Sequence, residues 1–219
     1  MADPNDGIFG NMEQKSIVNV IRFVNQKTNF LAVFEGISPK SARGASDDDL
    51  LSGVILANAL RVGVGPMSEI SDLNKYSLLS TEASSVRVET LIAATDIIHN
   101  KLSALPIFKR WYINSRLHGS LDGLKLGTSR KNIKARHSKK YFSDGTGVSS
   151  YNEVVNFLSI TSKIIGANEY EGHYMFEMVH NQNTSEIKPK YISTDKHGVN
   201  SLNFALCDFT DLVFAPRIP

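Results

Sequence analysis

Asp195 lies in the run Tyr191-Ile192-Ser193-Thr194-Asp195-Lys196-His197-Gly198, which reads as a short buried strand ending in that carboxylate, then a turn. The apolar helix expected after it carries Leu202, Phe204, Ala205 and Leu206. Such a carboxylate stands at the carboxyl edge of an α/β sheet, where these folds bind ligands. A second lies well upstream, in Gly119-Ser120-Leu121-Asp122-Gly123. Singly, neither is specific: Asp-Gly is an ordinary turn signal, and Asp195 has the place of a helix-start acid. Together they match what two-metal phosphoryl transfer requires. Carboxylate oxygens suit Mg²⁺ or Mn²⁺, and rigid neighbouring strands can hold two ions ~3.5–4 Å apart.

The stretch after Asp122 points to a polyanion. From Gly123 to Ser143 there are seven cations (Lys125, Arg130, Lys131, Lys134, Arg136, Lys139, Lys140), with His137 and no acid. Lys and Arg there could neutralise phosphates and make binding salt-dependent, although a charge run is also the ordinary composition of a solvated face. Trp111, Tyr141 and Phe142 flank the region; stacking on bases and packing in a core are both open to them. The whole-chain net charge is only +2, so the signal lies in the segregation of charge. The first fifty residues carry seven acids, Asp47-Asp48-Asp49 among them, against five cations.

Other constellations read more plainly. His173, Glu177 and His180 fall on one helix face but have no further ligand in view, so a polar surface is expected there. Asp47–Asp49 follow Ser46 and form a helix start, with the serine capping and the acids at the positive end of the dipole. Neither a Gly-rich phosphate loop, a nucleophile elbow nor Cys/His zinc spacing occurs. Cys207 is the single cysteine, which excludes an internal disulfide and makes a reducing compartment the default. Without a bilayer-length apolar run or a signal-peptide pattern, the expectation is a cytoplasmic protein with no membrane partner.

The elements that must position these residues fall in two parts. Residues 1–110 read as a helical region: helices over 13–28, from Ser46 to a stop at Gly63 and Gly65-Pro66, and over 84–103, ended by Leu105-Pro106. The first buries Ile17, Val20, Ile21 and Val24; the second buries Leu50, Leu51, Val54, Ile55 and Leu60. From Trp111 the pattern turns to strands, at about 116–126, 132–137, 147–157 and 163–167, with Asp144-Gly145-Thr146-Gly147 as a hairpin turn. A helix at 171–181, a strand at 190–194, a helix at 199–208 and a strand at 212–215 follow. Hairpins first and helix-linked strands later indicate an α/β chain with a mixed sheet.

At these residues the sequence resembles the Tn-three family of replicative transposases. Gly119-Ser120-Leu121-Asp122-Gly123 is similar to the family's Ser-Ser-Asp-Gly element, and Ser193-Thr194-Asp195-Lys196-His197-Gly198-Val199-Asn200 to its Ser-Thr-Asp-Thr-His-Gly-x-Asn. Between them, Ile165-Gly166-Ala167-Asn168-Glu169-Tyr170-Glu171-Gly172-His173 resembles its Ile-Gly-Ala-Asn-Glu-His-Glu-Ser-His. Leu121, Leu124 and Lys196 depart from the pattern, in place of Ser, Gln and a small polar residue. The resemblance implies a ribonuclease-H-like core at 111–219 with an Asp-Asp-Glu metal site. Asp122 and Asp195 would be its first two carboxylates, two Mg²⁺ or Mn²⁺ ions its cofactors, and DNA its partner. Lys125, Arg130, Lys131, Lys134, Arg136, Lys139, Lys140 and His197 would face that DNA. It further implies cleavage at transposon ends, joining to target DNA in a cointegrate, work at the bacterial nucleoid, and possible self-association.

The third carboxylate of this fold class lies on a later helix, and no glutamate follows Glu186 here. The chain is thus expected to be a catalytic-region fragment with an incomplete site. Apolar surface near Leu212 and Phe214 would then be left open. Two alternatives stand beside this: a remnant that binds DNA or interferes without cutting, and a metal-dependent phosphohydrolase with a small closed pocket.

Overall fold

Strand β1, His118–Thr128, is flanked on both sides, and its neighbours place the candidate site. On one side it runs antiparallel to β3, Thr146–Val155, in an unbroken register from Gly119 opposite Val155 to Thr128 opposite Thr146. On the other it runs parallel to β5, Tyr191–Thr194, from His118 opposite Tyr191 to Leu121 opposite Thr194. Beyond β3 lie β4, Leu158–Gly166, and the short β2, Arg136–His137, both antiparallel to it. Beyond β5, β6 (Val213–Phe214) is parallel. Antiparallel hairpins on one flank and parallel, helix-linked strands on the other make the mixed sheet of a ribonuclease-H-like fold, as the sequence implies.

The computed structural model describes residues 13–37, 47–129 and 132–217. The chain divides into two units, Met1–Ile98 and His99–Pro219. In the first, α1 (Ile17–Thr28), α2 (Asp48–Ala59), α3 (Val64–Ile70), α4 (Lys75–Ser85) and the start of α5 (Val88–Ser103) pack around Leu51, Val54, Leu56, Ala57, Val64, Met67 and Leu78. Asp47 caps α2, accepting from the Asp49 and Leu50 N–H groups, so the acid cluster is a helix start. Ser46, the expected cap, lies outside the described residues. Asp48 and Asp49 also accept from Asn25 and Arg22 of α1.

Four readings of this unit need correction. Gly65-Pro66 do not end a helix; they lie in the first turn of α3, where a missing proline N–H costs nothing, and Gly63 at φ 78° makes the break. Leu60 is exposed because it follows the last turn of α2. Residues 84–85 belong to α4, and α5 starts at Val88. In α1 the inward side chains are Ile21 and Val24, whereas Ile17 and Val20 are exposed.

In the second unit, Leu121, Tyr151, Ile165 and Ile192 project from one face of the sheet onto Met175, Met178, Val179, Cys207 and Phe214. The helical turns are α7 (Met175–Glu177), which runs on into a wider turn, Met178–Gln182, and α8 (Ser201–Phe209). Gly119 sets the register between β1 and β5. A Cβ there would lie 3.1 Å from Ile192 Cδ1 and 3.2 Å from Pro189 Cβ. Buried Gly119 and Leu121 alternate with exposed Ser120 and Asp122, so strand periodicity puts Asp122 on the face away from that core.

The β3–β4 turn is Asn156-Phe157, both at positive φ (51° and 69°), as a two-residue hairpin with right-handed strand twist requires. β4 therefore begins at Leu158 rather than Lys163; the turn carries no glycine to announce it. The Asp144–Gly147 segment instead joins a short helix, α6 (Lys139–Phe142), to β3. Phe214 is buried, edge-on to Phe204, and Leu212 packs partly against the core. The exposed apolar side chains nearby are Leu202, Phe204 and Phe209 of α8, which turns Asn203 and Cys207 inward, and Val213 of β6.

Candidate catalytic carboxylate site

Leu121 and Thr194 are the last matched pair of β1 and β5, and Asp122 and Asp195 are the next residue of each strand. Both aspartates are exposed. The Asp122 carboxylate accepts from the Gly123 N–H at 2.7 Å. Asp195 caps the turn Lys196–Gly198, its Oδ1 accepting from the His197 N–H at 2.9 Å. Its Oδ2 lies 2.7 Å from His197 Nδ1. His197, included among the DNA-facing residues, thus sits directly on the second aspartate, and its side chain is 64% exposed.

Beneath Gly123 is a third carboxylate. Glu171 accepts from Lys125 Nζ at 2.6 Å and from Ser149 Oγ at 2.8 Å. A Cβ on Gly123 would come within 2.1 Å of Glu171 Oε1, so glycine is required for this approach. Lys125 and Glu171 are 19% and 17% exposed, and Lys125 Nζ also reaches the Ala167 carbonyl. The Tyr151 phenol, 2% exposed, has its pKa raised first by burial, then by the charges of Glu171, Asp195 and Asp122. Three carboxylates therefore act electrostatically on one buried ring.

Asn203 holds the loops that carry these acids. It is 2% exposed, and its Nδ2 donates to the Gly172 carbonyl at 2.8 Å and the Gly198 carbonyl at 3.0 Å. Gly172 follows Glu171, and Gly198 closes the turn begun by Asp195, so one amide side chain secures both. The sequence reading missed Asn203 and the pairing of Glu171 with Lys125. An Asn on an otherwise apolar helix stretch was the available signal for the first; nothing local marks the second.

Of the basic residues, Lys134, Arg136, Lys139 and Lys140 are exposed, and Arg130 and Lys131 lie outside the described residues. Lys134 Nζ donates to the Ile164 carbonyl at 2.6 Å, and Arg136 to the Ile133 and Ala135 carbonyls. Lys139 and Lys140 project from α6, which is anchored by Phe142 packing against Gly147. Lys125 stands apart from this group, paired and half-buried. Trp111 and Tyr141 are exposed: Trp111 meets Phe157 edge-on beside an apolar cavity of about 340 Å³, and Tyr141 lies under the Lys140 ammonium.

His173, Glu177 and His180 do not converge. Glu177 pairs with Lys163 at 2.5 Å, whose ammonium holds the acid below its ordinary pKa, while His173 and His180 contact Tyr170 and Phe176. Among the described residues, no group of three or more His, Cys, Asp or Glu side chains could hold a metal ion. None of their helices is singly long and apolar enough to cross a membrane. Cys207 is buried, which raises its pKa.

Comparison with known proteins gives the family. The transposase for transposon gamma-delta of Escherichia coli (strain K12) is 26% identical over 198 residues, 89% of this chain and 20% of that protein. The transposase for transposon Tn3926 of Escherichia coli is 24% identical over 205 residues, 92% of this chain and 20% of its own length. The chain thus spans about a fifth of the length of these curated relatives. The Tn3 transposase DDE domain family matches residues 19–219, through both aspartate strands and the helices before them, and the chain belongs to that family.

Proposed function

We propose that this chain forms part of the catalytic core of a replicative DNA transposase, with Asp122 and Asp195 as its metal-binding carboxylates. The observation that carries the reading is their placement: each directly follows the last pair of two parallel neighbouring strands. The residues fit a divalent cation by their chemistry. Both are hard oxygen donors, both are exposed, and among the described residues an exposed His197 ring is the one side chain on either carboxylate. When bound there, Mg²⁺ or Mn²⁺ supplies charge neutralisation at the phosphodiester and activation of the attacking oxygen.

The chain's own residues do the rest. Lys134, Arg136, Lys139 and Lys140, with Arg130 and Lys131, bind DNA phosphates and orient the duplex. His197 holds the Asp195 carboxylate through its backbone N–H and its ring Nδ1. The family activity is cleavage of one strand at each transposon end by water, then joining of the 3′ hydroxyl to target DNA as a cointegrate. A second reading has a specific observation behind it. With no cluster of three metal-ligating side chains among the described residues, these 219 residues bind DNA without cutting it.

One assay separates the two. The chain is incubated with Mn²⁺ and a plasmid carrying the transposon ends, and nicking is followed on gels. Metal-dependent nicking that Asp195→Ala abolishes supports the first reading. Binding without nicking supports the second. Hydrolysis of small phosphate esters in place of either would overturn both.

A further inference from the structure

A lysine on β1 points at the ground beneath the first aspartate. Lys125 is two residues beyond Gly123, on the same side of the strand, and the opposite strand offers Ser149 and Tyr151 to that side. By strand periodicity this is the face opposite Asp122, yet an unpaired ammonium three residues along β1 would still oppose a cation there. It is not unpaired, because Glu171 comes from another segment to meet it, and the close approach depends on Gly123 lacking a side chain.

We propose that Glu171 is a positioning residue of the carboxylate site: it pins β1 at Gly123 and cancels the charge of Lys125, so that a divalent cation at Asp122 and Asp195 meets no unpaired ammonium beneath it. This rests on the reading of the two aspartates as metal ligands. Three observations support it. Glu171 is held by two hydrogen bonds, from Lys125 and Ser149, and so has a fixed orientation. Its loop is bound to the Asp195 loop through Asn203, so the two acids are set together. Its charge and those of both aspartates act on the same Tyr151 ring. Partners of this kind, one step removed from the metal, typically change affinity 10–100-fold when lost.

The test uses Mn²⁺ alone as the probe, titrated into the full 219-residue chain, with free ion read by electron paramagnetic resonance and folding by circular dichroism. Glu171→Gln leaves Lys125 uncompensated and should weaken Mn²⁺ binding by ~10-fold. Lys125→Met combined with Glu171→Gln returns the local charge to its original sum and should restore most of that loss. A purely structural role would appear instead as a matching loss and recovery of the folding signal in circular dichroism. Unchanged affinity in Glu171→Gln overturns the proposal, as does a double variant that binds as weakly as the single one. If neither variant folds, Glu171 is a folding residue and the proposal is also wrong. The reading of the site is checked separately: Mn²⁺ binding that survives both Asp122→Asn and Asp195→Asn removes that reading and the proposal with it. Binding lost in those variants but unchanged in Glu171→Gln removes the proposal alone.

Discussion

Asp122 and Asp195 each stand one residue past the pair Leu121–Thr194, on two parallel strands joined side by side. Their backbone adjacency is a property of strand register. If they share a cation, Asp122→Asn and Asp195→Asn should each lower Mn²⁺ affinity by on the order of tenfold, since charge count sets the strength of such sites. The double variant should bind no better than background. Isothermal titration measures this, and two independent, unequal sites would contradict it.

The basic surface gives a second prediction. Replacing Lys134, Arg136, Lys139 and Lys140 with alanine should weaken DNA binding and flatten its salt dependence by about one unit per lost phosphate contact. Lys125→Ala should behave differently. It leaves the Glu171 carboxylate half-buried without its cation, so it should lower the unfolding midpoint in urea while moving the salt slope less than Lys139→Ala. An equal slope change would put Lys125 on the DNA.

Glu153 makes stability depend on pH. It is fully buried on β3, accepts from Thr161 Oγ1 at 3.1 Å, and has its other oxygen without a partner. Burial pushes its pKa up to about 7, against the weaker opposing effects of Thr161 and Lys188. Below its unfolded pKa the group is neutral in both states. As pH rises from there towards 7, the unfolded chain releases the proton and the folded chain keeps it, so stability falls. Above 7 the loss is complete, at roughly 3 kcal/mol. Glu153→Gln should flatten this slope and raise stability at pH 8, as urea unfolding across pH will show.

Asn203→Leu should cost about 2–4 kcal/mol. Two buried carbonyls, at Gly172 and Gly198, would lose their donor, while the leucine adds volume beside a packed turn. Urea unfolding followed by circular dichroism reads this out. A loss under half a kcal/mol would mean that water reaches those carbonyls.

Legibility in the sequence followed the range of the signal. The two aspartates, the mixed sheet and the acidic helix start were readable because each is announced by its neighbours. α4 was not, since its Lys-Tyr-Ser-Leu-Leu-Ser-Thr-Glu-Ala-Ser-Ser run has little apolar periodicity and buries only Leu78 and Ser85. The Asn156-Phe157 turn was hidden for a related reason, as phenylalanine at positive φ is no turn signal. Glu171 and Lys125 are ordinary charges until the sheet brings them together. Their pairing is tertiary information.

Gly119 makes the distance along β5 as important as the residues on it. Ile192 and Pro189 both close on Gly119, where a Cβ would lie 3.1–3.2 Å from them, tighter than ordinary packing, so the strand is closely seated there. A deletion or insertion of a single residue between Ile192 and Asp195 would leave the seat occupied and carry the carboxylate to the opposite face of the sheet. Substitutions in Ser193-Thr194 can therefore be absorbed one at a time, while changes of length cannot. In the comparison of natural variants, Ser193 and Thr194 should vary in composition while the spacing from Ile192 to Asp195 stays fixed.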